Sequence, residues 1–396
     1  MSLLDSSGSG RFWTVRRSLM AGSAALIVVA GTTVALTVGQ PAAQHPAAKG
    51  SSTARLAAST CTGPAGAAYI ALAGYQSFDA IDTANCSYVQ NYNVGDPAVP
   101  GDPGEVNYAS SVQGIAIHGD TLYFADTGND MVSIVDSATL DPKNYNPAET
   151  DIHVGINPDD LAVSPDGSQL WVADTGPQTG RGSPTEIKVI STAPDKVTAT
   201  LPLPSAPAQI EFSPSGATAY VTTAAGLWIF GTANDRVTGV IHGLGDPHGI
   251  AVSPDGRTVY VTNTAQGLVE VISAATGKVT GTIPVGQLPW GLALSANGGT
   301  LYVANPDSNT VSVVSTKTGK VTSTISLAGG PDVLALTPDG SQLWVTGITS
   351  GILTVLDAAN GSVVGTVNLG GDGANSGDGM DPAGIVLTST PTPTSS

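Results

Sequence analysis

SPDGRTVYVTN, residues 253–263, is one of five near-identical strings in this chain. The others are SPDGSQLWVAD from Ser164, SPSGATAYVTT from Ser213, SANGGTLYVAN from Ser295 and TPDGSQLWVTG from Thr337. Each reads as a tight turn running into a strand. Pro presets φ, Asp bonds nearby backbone, and Gly accepts the sharp exit. TVYVTN then alternates and is rich in β-branched and aromatic residues, as a strand should be. Reading outward from this string, LVEVIS is a second strand, AATGK a hairpin turn and VTGTIPV a third strand. GQLP is a loop, and WGLAL is a fourth strand that leads into the next turn.

The unit returns about every 40 residues, the period of propellers and solenoids. Four antiparallel strands make one sheet, and one sheet cannot bury both its faces, so neighbours must stack. An aromatic residue marks one slot in every unit: Tyr69, Tyr123, Trp171, Tyr220, Tyr260, Tyr302 and Trp344. A large flat side chain at a fixed slot is what packing between stacked sheets needs. Seven markers predict an all-β, seven-bladed β-propeller of four-stranded antiparallel blades. The first unit has only three strands, near 68–72, 77–81 and 88–94. The orphan DPAGIVLTS at 381–389 is predicted to supply the fourth and close the ring.

The wording of these repeats, with Tyr260-Val261-Thr262-Asn263 as its core, resembles the YVTN-type β-propeller repeat family. The resemblance is strong over 164–369 and weaker over 61–163. It implies a seven-bladed propeller of the cell surface or extracytoplasmic space and brings no single catalytic signature. The chain departs from the pattern at Thr223 and Gly347, where Asn ends the strand in the clean repeats.

The 396 residues divide by composition. Residues 1–18 carry Arg11, Arg16 and Arg17 ahead of an apolar run at 19–38, the arrangement of an export signal with its N-terminus in the cytoplasm. The run is long enough to span a bilayer, so signal anchor and cleaved signal peptide both stand as readings. Residues 39–60, rich in Ala, Pro and Ser, read as a tether, 61–389 as the propeller, and 390–396 as a disordered tail. The expected location is extracytoplasmic, held by the N-terminal helix or secreted, and the expected state is a monomer. In an oxidising compartment Cys61 and Cys86 are expected to form one disulfide. The net charge of −17 argues against nucleic acid as a partner. No G-x-S-x-G, P-loop or H-E-x-x-H occurs.

Propellers place ligands where loops lead into the innermost strands. The residue after each loop proline, or its equivalent, is expected at that channel mouth: Gln113, Asp159, Ala208, His248, Trp290, Asp332 and Ala383. Seven copies of one unit carry a varied set of side chains here. Asp159, His248 and Asp332 are candidate metal ligands or acid–base groups, and Trp290 a stacking platform. Asp372, Asp378 and Asp381, among glycines, are candidate ligands for Ca²⁺ or another divalent ion, although the fold requires no cofactor. Besides an envelope spacer with no specific ligand, two functions remain open from the sequence. One is an envelope protein that binds a protein, glycan or small ligand at the mouth. The other is a propeller hydrolase, lactonase or lyase with a divalent metal there.

Overall fold

The computed structural model describes residues 63–73, 77–93, 112–140, 151–176, 185–369 and 381–389. The chain divides into Met1–Ser59, outside those residues, and Thr60–Ser396. The apolar run at 19–38 and Cys61 therefore lie outside the described residues. Among the described residues no helix is long and apolar enough to cross a membrane. Cys86 is buried in the turn between the second and third strands and is not a free thiol.

Seven four-stranded antiparallel sheets form the ring. Blade 1 holds β1 (Ala67–Ala73), β2 (Ser77–Asp82) and β3 (Ser87–Asn93). Blade 2 holds β4 (Val112–His118), β5 (Thr121–Asp126), β6 (Met131–Asp136) and the short β7 (Ile152–His153). Blade 3 holds β8 (Pro158–Val163), β9 (Gln169–Asp174), β10 (Thr185–Thr192) and β11 (Asp195–Leu203). Blade 4 holds β12 (Pro207–Phe212), β13 (Thr218–Thr223), β14 (Gly226–Gly231) and β15 (Arg236–Ile241). Blade 5 holds β16 (Pro247–Val252), β17 (Thr258–Asn263), β18 (Leu268–Ser273) and β19 (Lys278–Pro284). Blade 6 holds β20 (Leu292–Leu294), β21 (Thr300–Asn305), β22 (Thr310–Ser315) and β23 (Lys320–Ser326). Blade 7 holds β24 (Pro331–Leu336), β25 (Gln342–Gly347), β26 (Ile352–Asp357) and β27 (Val363–Asn368).

The final strand, β28 (Asp381–Thr388), pairs antiparallel with β1, with Ile385 opposite Ile70. The C-terminal orphan thus completes blade 1, as the sequence predicts. The inner strands β28, β4, β8, β12, β16, β20 and β24 each neighbour the next around the axis. Closure of this kind leaves no blade without a partner on either side.

Among the described residues seven apolar clusters fill the seven seams, one between each pair of adjacent blades. The recurrent aromatic is buried in each of them and always packs toward the following blade. Tyr260 of blade 5, for example, meets Leu301 and Val303 of blade 6. Burial of a side chain this large supplies much of each seam's apolar area.

The turn string has a second role. Ser253 Oγ accepts from Thr258 N at 2.9 Å and donates to Asp255 Oδ1 at 2.6 Å, which locks the turn. Gly256 has φ +69°, a conformation that glycine adopts without strain. A Cβ there would sit 3.7 Å from Pro214 Cδ of the preceding blade, and one at Gly298 would sit 3.0 Å from Pro254 Cδ. Pro and Gly of the turn therefore also stack blade on blade.

Thr262 and Asn263 tie the other end of the unit. Thr262 Oγ1 accepts from Gly249 N at 2.6 Å within its blade and donates to Trp290 O at 3.1 Å in the next. Thr222 repeats this with Gln209 N at 3.1 Å and His248 O at 2.6 Å. At the Asn slot, Asn305 Oδ1 accepts from Gly286 N at 3.0 Å and Asp174 Oδ2 from Gly155 N at 2.9 Å, so each pins the loop leading into its own blade. Thr223 instead bonds within its own hairpin, and Gly347 leaves its place to Ser350.

Inner strands approach so closely that some positions accept no side chain. A Cβ at Gly249 would overlap the Trp290 carbonyl oxygen, and one at Gly291 the Asp332 carbonyl oxygen. Gly249→Ala is expected to destabilise the protein by about 3 kcal/mol or more, the upper range for overpacking. Gly281→Ala, where a Cβ meets nothing within 4 Å, is expected to change stability by less than about 0.5 kcal/mol. Urea melts of the two variants check this; equal effects would contradict it.

Candidate ligand site at the channel mouth

Each inner strand begins beside the end of its neighbour in the same blade: Pro158 opposite Asp174, Pro207 opposite Thr223, Pro247 opposite Asn263 and Pro331 opposite Gly347. The lead-in loops and the ends of the second strands therefore share one face. The pairing register shifts just after these prolines, as at Pro158/Asp160 and Pro207/Gln209. Such bulges re-aim the side chains that follow.

The seven sequence-predicted mouth positions stand at equivalent places on successive blades. Thr222 reaches the His248 carbonyl and Thr262 the Trp290 carbonyl. The carbonyls of Gln113, Asp159 and Asp332 lie against Gly384, Gly114 and Gly291 of the preceding blade. In ring order the positions are Gln113, Asp159, Ala208, His248, Trp290, Asp332 and Ala383. His248, Trp290 and Asp332 occupy three consecutive blades, whereas Ala208 separates Asp159 from His248. Gln113, Asp159 and Asp332 each have polar or electrostatic interactions of their own.

His248 and Trp290 are in direct contact. Their rings stack with centroids 3.6 Å apart and 30° between planes. Burial pushes the His248 pKa down to about 3, so the imidazole is neutral at ordinary pH. Its Nδ1 is buried and meets no hydrogen-bond partner among the described residues. A neutral imidazole on an indole makes an apolar plate at the mouth.

Below the mouth, two carboxyls break the pattern of the inner strands. Where other blades place Gly114, Gly249, Gly291 and Gly384, blade 3 has Asp160. Where they place Ala116, Ala162, Ala251, Ala293 and Ala335, blade 4 has Glu211. Asp160 Oδ2 reaches across the seam to accept from Ile210 N at 2.8 Å. In the next seam, Gln209 Oε1 does the same for Ile250 N at 2.8 Å. Each acid keeps some accessible surface and is otherwise surrounded by protein. Burial raises Asp160 to about 7 against the Ile210 N–H, which lowers it, with the Asp159 charge adding to the rise. Burial and the neighbouring Asp160 raise Glu211 to about 8. Sequence reasoning passed over Glu211, although setting PAQIEF beside PHGIAV and PDVLAL exposes it.

Among the described residues no three His, Cys, Asp or Glu side chains gather so as to hold a metal ion. The set Asp159, His248 and Asp332 is not such a group, because its members do not sit on neighbouring blades. Asp372 and Asp378 lie outside the described residues, and Asp381 opens β28.

The family described as SMP-30/gluconolactonase/LRE-like region matches residues 227–350, a span that contains His248, Trp290 and Asp332. No curated protein matches the chain. Among solved structures, the chain is similar to a functionally unknown protein from Desulfotomaculum acetoxidans, with a TM-score of 0.66 and 16% identity. That alignment covers 82% of this chain and 99% of the other. The chain is also similar to the hydrazine synthase of Kuenenia stuttgartiensis, with a TM-score of 0.58 and 20% identity over 72% of this chain and 90% of that one. Identities this low carry the fold alone.

The raised carboxyls set a pH dependence. The folded chain holds protons on Asp160, Asp174 and Glu211 that the unfolded chain releases above 3.8 for Asp and 4.5 for Glu. Their contribution to stability is therefore full at acid pH and is lost as pH rises through about 7 to 8. The melting temperature is expected to fall by about 3 °C or more between about pH 5 and pH 8.5. Glu211→Gln is expected to shrink that difference. A melting temperature that rises over this window would contradict the assignment.

Proposed function

We propose that this protein is a binding propeller of the bacterial cell envelope that holds its ligand at the channel mouth against the His248–Trp290 plate. The stacked pair is the observation that carries the reading. It is an aromatic surface placed where the inner strands of the rigid ring begin, and the side chains at the equivalent positions vary among the blades while the ring beneath them repeats. The arginines before the apolar run at 19–38 support an extracytoplasmic place for the domain. The repeat wording around Tyr260-Val261-Thr262-Asn263 supports membership of the YVTN-type repeat proteins.

A lactonase-like enzyme is the second reading, favoured by the family match over 227–350. Its divalent ion would need a donor set, and the described residues do not assemble one. A histidine with its pKa near 3 is also a poor general base at neutral pH.

A thermal-shift screen of small metabolites and oligosaccharides, run on the full chain and on Trp290→Ala, separates the two readings. Binding is expected to weaken about tenfold or more in the variant, the scale of a lost aromatic anchor. Binders that ignore Trp290 would overturn the mouth reading. Hydrolysis of a lactone panel that stops on adding EDTA would install the enzyme instead.

A further inference from the structure

Among the described residues the basic side chains lie away from the mouth face. The described residues include seven Lys and Arg side chains. Lys196, Arg236, Lys278 and Lys320 lie at the start of β11, β15, β19 and β23, strands that run from the turn face toward the mouth face. Arg257 and Lys317 sit in turns on that same far face. The seventh, Lys188, is mid-strand in β10. Its Nζ stands 2.7 Å from Glu186 Oε1 and donates to Thr200 Oγ1 at 3.1 Å. No described Lys or Arg therefore stands at the mouth, where Asp332 follows the aromatic plate on the next blade and Asp159 lies beyond Ala208 on its other side.

We infer that the mouth takes an uncharged, ring-shaped polyol, a neutral saccharide unit lying on the Trp290 face, and rejects the carboxylate-bearing counterpart of the same sugar; this deepens the proposed binding function and rests on it. The apolar face of a pyranose suits an indole plate. Its hydroxyls can donate to carboxylates such as those of Asp159 and Asp332, which have acceptor capacity alone when ionised. An anionic sugar would bring its charge beside the carboxyl groups of Asp159 and Asp332, where no described Lys or Arg compensates it. Selectivity then arises from repulsion as much as from attraction.

The test is calorimetric titration of the full chain with neutral hexose trisaccharides and with the same sugars oxidised at C6 to uronates. The neutral forms are expected to bind, the uronates at least about tenfold more weakly, and Trp290→Phe to retain what Trp290→Ala loses. Ala208→Lys, which adds a cation to the mouth ring, is expected to raise uronate binding about tenfold relative to that of the neutral sugars. Uronates bound as tightly as the neutral sugars would overturn the inference. So would a mouth that binds only non-saccharide ligands in a Trp290-dependent way, although the binding function itself would then stand. Ligands indifferent to Trp290 would overturn both.

Discussion

The fold depends on how closely the inner strands approach one another around the axis. Backbone meets backbone where Gly249 lies under the Trp290 carbonyl and Gly291 under that of Asp332. Thr262 bridges the first of these, and Thr222 bridges the equivalent approach of Gln209 to the His248 carbonyl, each taking an N–H from its own blade and giving its hydroxyl proton to the next. A ring drawn this tight must close on itself, and β28 is the segment that closes it. The apolar seams then follow, with one aromatic filling each gap.

The same constraint explains where chemistry collects. Residues that serve the ring are small, hydroxylated or aromatic, and they recur. Residues freed from it are those just past the lead-in prolines, and there the blades differ. His248 and Trp290 use that freedom to form a neutral aromatic plate. Asp160 and Gln209 show a compromise. Each occupies a slot that glycine fills elsewhere, and each turns its side chain to the N–H of the next blade, so a hydrogen bond crosses the seam. Glu211 has no such partner and stays protonated over most of the neutral range, because charge is costly there.

Much of this was legible in the sequence, for a physical reason. Turn chemistry and strand alternation are local, so SPDG and TVYVTN announce themselves in every unit. The aromatic slot gave the blade count, and the similarity of PAGIVL to PWGLAL gave the closure. The mouth positions could be placed because the register within one unit transfers to all. What could not be read was contact between blades. Nothing in the strings PHGIAV and PWGLAL says that His248 and Trp290 stack, since their encounter depends on the seam between blades 5 and 6. Among the described residues no metal-holding group of three His, Cys, Asp or Glu forms, and for one candidate set the ring geometry gives the reason. Asp159, His248 and Asp332 share a slot in the unit, but a shared slot spreads residues round a circle instead of bringing them together. Glu211 does not show in the loop pattern, because its departure from the repeat lies inside a strand.

Hydrogen–deuterium exchange of the full chain, with and without a bound neutral saccharide, tests the account most directly. Slowed exchange confined to residues 247–252 and 290–294 is the predicted result, because those segments carry the aromatic plate and its backbone ties. Protection centred on the outer strands, such as 278–284, or on the turn face would contradict it and place the binding surface elsewhere on the ring.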